Sequence, residues 1–153
     1  MENGEDRVQM ETGTELGRIL NKDFFFYLLD IEVKRARRYQ NFLCLILLKL
    51  SQLPMNDNGD SLPSCYQELS HLLINEMRET DILGSLGKDK LVALLPYADE
   101  KAGGHAKSRL ENTLKYYNFT GKGYEVIINQ VNFPMNGTNI AEIIKKALGP
   151  ETI

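Results

Sequence analysis

Cysteine is nearly absent from this chain. Cys44 and Cys65 are the only two in 153 residues, too few for a disulfide scaffold and consistent with a reducing compartment. Cys44 lies inside the apolar run 43–48 and reads as a small buried hydrophobe. Histidine is as scarce, and no metal-ligand spacing links His71 or His105 to the cysteines, which argues against a zinc site. Long apolar runs are also missing; the longest falls well short of the ~20 residues a membrane-spanning helix needs. Residues 1–15 are polar and mostly acidic, unlike a secretory signal. Nor does one sign of charge dominate. The net charge is −3, so no global field draws the chain to nucleic acid or to an anionic membrane. The basic run Lys34-Arg35-Ala36-Arg37-Arg38 is local, and by pattern alone it is the solvated end of a helix. The expectation is a cytoplasmic protein with no nucleic-acid partner and no membrane insertion.

What is present is an ordinary core. Apolar residues make up 42% and charged residues 25%, as in globular domains of this length. Residues 1–15 read as a flexible N-terminal tail or linker, and residues 16–150 as one domain. Asn21 is placed to cap a helix starting at Lys22 and running to about Tyr39, with Phe24, Leu28 and Ile31 on its apolar face. Residues 42–50 form a strand apolar on both faces, hence inside its sheet. Residues 57–60 are a turn-rich loop. Pro63 suits the first turn of a second helix with the stripe Tyr66, Leu69, Leu73 and Met77. Residues 82–86 and 91–96 read as strands joined by the tight turn Gly87-Lys88-Asp89-Lys90. A third helix spans about 99–117 and carries Ala102, Ala106, Leu110 and Leu114. Gly103-Gly104 weakens its start, by roughly 1 kcal/mol per glycine relative to alanine. Residues 124–131 are another strand. Asn136-Gly137 turns the chain into a last helix, which Asn139 and Glu142 open at capping-box spacing. A hairpin set among crossover helices implies an α/β fold with a mixed sheet flanked by helices.

Four local motifs, in order, carry a resemblance. Ile19-Leu20-Asn21-Lys22-Asp23-Phe24 resembles an opening L-x-N-R-x-x-F. Arg35-Ala36-Arg37-Arg38-Tyr39 matches an RARRY helix end. The segment 81–96, DILGSLGKDKLVALLP, follows a central hairpin whose turn normally reads GGDEF. Phe133-Pro134-Met135-Asn136-Gly137 resembles Y-P-x-x-G. Together they make the chain similar, over residues 16–148, to the GGDEF (diguanylate cyclase-like) family. The resemblance implies a nucleotide-cyclase-like α/β domain with a central mixed, largely antiparallel sheet.

That family condenses two GTP molecules into cyclic di-GMP by two-metal phosphoryl transfer. The resemblance puts a metal-binding aspartate at the end of the first strand and an acidic residue in the signature turn. Here those places hold Lys49 and Lys90. Magnesium wants hard oxygen ligands, and a cation a few ångströms from it costs several kcal/mol even at an effective dielectric of ~20. The signature reads Gly87-Lys88-Asp89-Lys90-Leu91, so lysine also replaces the second glycine, and Asp89 alone keeps a carboxylate. The resemblance makes the guanine-reading loop about three residues shorter: Leu62-Pro63 falls where Gly-Asp is expected, and the shortening leaves open whether Asn56 corresponds to its asparagine. The final helix stops early, at Gly149-Pro150. The expectation is therefore a degenerate domain with no catalytic residues, no metal and no cofactor.

A second, product-binding site of the family is an Arg-x-x-Asp five residues before the signature. Arg78-Glu79-Thr80-Asp81 has that pattern and spacing. Counting on from Gly87, the family's further arginine is Arg109, and a fourth position on the first helix, often supplied by a neighbouring domain, corresponds to Arg35. A guanidinium fork matches guanine O6 and N7, a carboxylate accepts from the guanine N1–H and N2–H edge, and phosphates favour arginine. Three readings stay open. The first is an inactive regulatory domain that binds cyclic di-GMP and signals to a protein partner or fused domain. The second is a nucleotide-free interaction or dimerisation module, a homodimer included. The third is residual enzymology on a different phosphorylated ligand held by Lys49, Lys88 and Lys90. Arg78–Asp81 as a mere local surface ion pair also stays open, worth under about 1 kcal/mol.

Overall fold

The computed structural model describes residues 16–54, 59–135 and 139–148. After a short turn, Leu16–Arg18, the chain forms β1 (Ile19–Leu20), α1 (Lys22–Tyr39), β2 (Leu43–Gln52), α2 (Leu62–Glu76), β3 (Ile82–Gly87), β4 (Lys90–Pro96), α3 (Glu100–Leu114), β5 (Tyr124–Phe133) and α4 (Ile140–Leu148). The strands make one mixed sheet in the order β1-β3-β4-β2-β5. Among the described residues, only β1 with β3 is parallel; the other pairs are antiparallel.

The strand β2 organises the core. It lies between β4 and β5, and every residue from Leu43 to Leu48 is buried. One face, with Cys44, Ile46 and Leu48, packs on Leu69 and Leu73 of α2 and Leu110 of α3. The other, with Leu43, Leu45 and Leu47, packs on Phe25 and Leu29 of α1 and Ile143 of α4. Each such leucine contributes about 1.5–3 kcal/mol by leaving water. Phe42, expected within the strand, lies just before it and is half exposed.

Asn21 caps α1, its side chain accepting from the Phe24 amide at 2.9 Å. The buried face is Phe25, Leu29, Val33 and Ala36, not the expected Phe24, Leu28 and Ile31; Phe24 is 48% exposed. Tertiary packing settles the rotation. A Cβ on Gly84 of β3 would lie 2.6 Å from Phe25 Cδ1, so the bare glycine lets that ring close on the sheet.

Ser61 caps α2, with Pro63 in its first turn. Its buried residues are Cys65, Leu69, Ser70, Leu72 and Leu73, and Met77 at the C-cap is buried as well. Tyr66 is only half-buried, because its hydroxyl is held at the hairpin by Ser85 Oγ (2.5 Å) and by the Lys90 carbonyl, to which it donates (3.2 Å).

The helix α3 ends at Leu114, short of the expected 117, and buries Gly103, Ala106 and Leu110 while Ala102 faces solvent. Gly103 is more than a weak helix former. A Cβ there would meet Cys44 Sγ at 2.4 Å and Gln130 Nε2 at 2.7 Å, so the glycine sets how closely α3 lies on β2 and β5. The strand β5 runs two residues past the expected end. In the last helix the Glu142 amide donates to Asn139 Oδ1 at 2.9 Å. The expected Asn136-Gly137 turn, the Gly149-Pro150 stop, Asn56 and the first half of the 57–60 loop lie outside the described residues. Among the described residues, no helix is long and apolar enough to cross a membrane.

Candidate functional site

The sequence-predicted residues separate to opposite ends of the sheet. At one end, the β3–β4 hairpin turns through Lys88-Asp89. The Asp89 carbonyl accepts from the Leu50 amide at 2.8 Å, which clasps the turn to β2. This register sets Lys49 directly opposite Lys90. The Lys90 side chain is 14% exposed, and its ammonium lies 3.4 Å from Asp89 Oδ1. Burial pushes the nearby Tyr66 phenol up from its ordinary pKa; the Ser85 hydrogen bond opposes this and the Asp89 charge adds to it. Among the described residues, no three of histidine, cysteine, aspartate and glutamate gather into a group that could hold a metal. Leu62-Pro63 forms the first turn of α2, behind the Ser61 cap.

At the other end, the chain leaves α2 at Met77 and turns through Arg78–Asp81 into β3. The Asp81 amide donates to the Arg78 carbonyl at 3.0 Å. The Arg78 amide donates to Asp81 Oδ2 at 2.8 Å. The carboxylate thus braces the turn that presents both side chains. Arg18 braces it from outside, donating to the carbonyls of Arg78 and of Asp81 (3.1 Å). On α3, Arg109 donates to the Glu76 carbonyl (3.2 Å) and lies 3.8 Å from its carboxylate. Arg78, Asp81 and Arg109 line one shallow cavity of about 50 Å³, floored by Leu95, Pro96, Ala98 and Ala106.

Arg35 is not in that cavity. It sits on α1, paired to Glu32 at 3.0 Å, and lines a neighbouring depression with Phe42, Pro96 and Tyr97. Pro96 borders both. Two larger depressions, about 370 and 550 Å³, hold none of the sequence-predicted site residues. Sequence reasoning missed Arg18 and Tyr97. A lone arginine before β1 carries no signal. Tyr97 follows a proline at a strand end and looks like any loop residue, yet its backbone φ is 64° and it is 63% exposed.

Comparison with known proteins agrees with this fold. The family described as "Diguanylate cyclase, GGDEF domain" matches residues 15–148. A diguanylate cyclase (DGC) protein from Thermotoga maritima superposes with a TM-score of 0.72 at 16% identity, over 85% of this chain and 93% of its own. The GGDEF domain of FimX from Pseudomonas aeruginosa gives 0.70 at 16% identity, over 85% of each chain. The GGDEF domain of DgcB from Caulobacter crescentus, solved in complex with c-di-GMP, gives 0.65 at 10% identity, over 84% of this chain and 78% of its own. No curated protein matches the sequence. The family match over most of the chain, on a mixed five-stranded sheet shared with solved GGDEF domains, shows that this chain belongs to the GGDEF, or diguanylate cyclase, family.

Proposed function

We propose that this GGDEF domain is a catalytically silent, cytoplasmic regulatory domain that binds cyclic di-GMP through Arg78, Asp81 and Arg109 and relays the signal to a protein partner or a fused signalling domain. The observation that carries this reading is the convergence of those three side chains, from the 78–81 turn and from α3, on one shallow cavity. Two guanidiniums and a carboxylate match the phosphates and guanine edge of such a ligand. Silence is supported at the other end of the sheet. Two lysines, Lys49 and Lys90, face each other where the family's chemistry needs metal-holding carboxylates.

Two assays test it. Incubation with GTP and magnesium or manganese, followed by chromatography, is expected to yield no cyclic di-GMP above a protein-free control. Turnover that disappears in Asp89→Ala would overturn the silence. Titration with cyclic di-GMP is expected to give saturable binding. A second reading, a nucleotide-free interaction module, is favoured by one specific observation: Arg109 is already engaged by Glu76, and the Asp81 carboxylate by the Arg78 amide. Absence of any binding would favour it.

A further inference from the structure

Tyr97 links β4 to α3 with a backbone φ of 64°. Glycine or asparagine adopts that left-handed conformation without the penalty a bulky ring incurs. The ring does not offset this by burial, since 63% of the residue is exposed. Strain held at an exposed aromatic residue points to a role outside the core.

Its position suggests which role. Pro96, the residue before it, borders both the cavity of Arg78, Asp81 and Arg109 and the depression of Arg35. Ala98, the residue after it, lines the first of these; Tyr97 itself lines the second. Tyr97 therefore stands on the ridge between two arginine-bearing hollows. The cavity of Arg78, Asp81 and Arg109 measures about 50 Å³, too small to enclose a nucleobase, so a base of a ligand held there lies outside it, against whatever flat surface its rim provides. An exposed aromatic ring is such a surface.

We infer that the Tyr97 ring is a base-stacking platform for one purine of the ligand. This rests on the cyclic di-GMP reading above and assigns it a residue that supplies affinity through stacking and not charge.

The test is a calorimetric titration of the wild type, Tyr97→Phe and Tyr97→Asn with cyclic di-GMP at one fixed salt concentration, each variant first checked for native melting. Asparagine suits the left-handed backbone, so Tyr97→Asn should melt no lower than the wild type yet bind at least tenfold more weakly. Tyr97→Phe keeps the stacking face and should bind within about threefold of the wild type. Equal affinity in the wild type and Tyr97→Asn, or equal losses in both variants, would overturn the stacking role and leave the receptor reading standing. Absence of heat from the wild type would overturn both.

Discussion

Lys49 on β2 and Lys90 on β4 stand directly opposite each other in the antiparallel register. Like charges so placed weaken a strand pair, by roughly 0.2–1 kcal/mol relative to a matched pair. Reversing one charge should recover that amount. Lys49→Glu is expected to raise stability to urea by about 0.2–1 kcal/mol without creating turnover. A lower unfolding midpoint would show that Lys49 contributes more to the fold than its position opposite Lys90 costs.

The two neighbouring glycines of α3 should respond in opposite directions to the same substitution. Gly103→Ala gains about 1 kcal/mol of helix propensity, but its methyl would meet Cys44 Sγ at 2.4 Å, and overpacking of that kind costs about 1–3 kcal/mol. Gly104→Ala meets only Gln130 Oε1, at an ordinary 3.9 Å, and keeps the propensity gain. Thermal melts should therefore place Gly104→Ala above the wild type and Gly103→Ala below it. The reverse order would contradict the packing of α3 on β2.

Burial pushes the Cys44 thiol from 9.0 up to about 12, against a smaller opposing effect from Gln130. Cys65 is also raised, by burial first and then by the Asp60 charge. A thiol whose pKa is raised on folding keeps its proton in the native state while the unfolded chain loses it. The contribution of the Cys44 thiol to stability is then constant below about pH 9 and is lost as pH climbs towards about 12. Cys44→Ala should flatten that alkaline decline. In native protein at pH 8, neither thiol should react with a disulfide reagent until the chain unfolds. Rapid labelling of either would contradict the closed core.

Strand positions were legible in the sequence because an apolar run on both faces, and a hairpin bounded by glycine and lysine, each admit few alternatives. Helix rotation was not. Residues 24–26 are three consecutive phenylalanines, so periodicity could not choose among them; the glycine at position 84, far away in sequence, admits Phe25. Gly103 was read by local propensity, whereas its contact with Cys44 lies across two elements. The two-residue strand β1 has no period to detect. At the candidate site, the resemblance to the family named Arg78, Asp81 and Arg109, and the fold gathers them on one cavity. The bracing of their turn by Arg18 depends on carbonyl positions that no sequence pattern records.

The fourth arginine should behave differently from the other three residues. Arg35 lines the adjoining depression and is paired to Glu32 at 3.0 Å. Arg35→Ala is expected to change cyclic di-GMP affinity by less than about threefold in dilute protein, where Arg109→Ala costs tenfold or more. If sedimentation shows the ligand drawing two copies together, Arg35→Ala should weaken that assembly first. Equal losses for both arginines in dilute protein would merge the two depressions into one site.

The central claim is that Arg78, Asp81 and Arg109 form a receptor site for cyclic di-GMP on a domain that does not make it. Titration calorimetry of wild type and Arg78→Ala with cyclic di-GMP, at one fixed salt concentration, tests it most directly. Loss of a charged hydrogen-bond partner from such a site typically costs about 2–5 kcal/mol. The account therefore predicts saturable heat from the wild type and an affinity at least tenfold weaker in Arg78→Ala. No heat from the wild type at high-micromolar ligand, or the same affinity in both proteins, would contradict it.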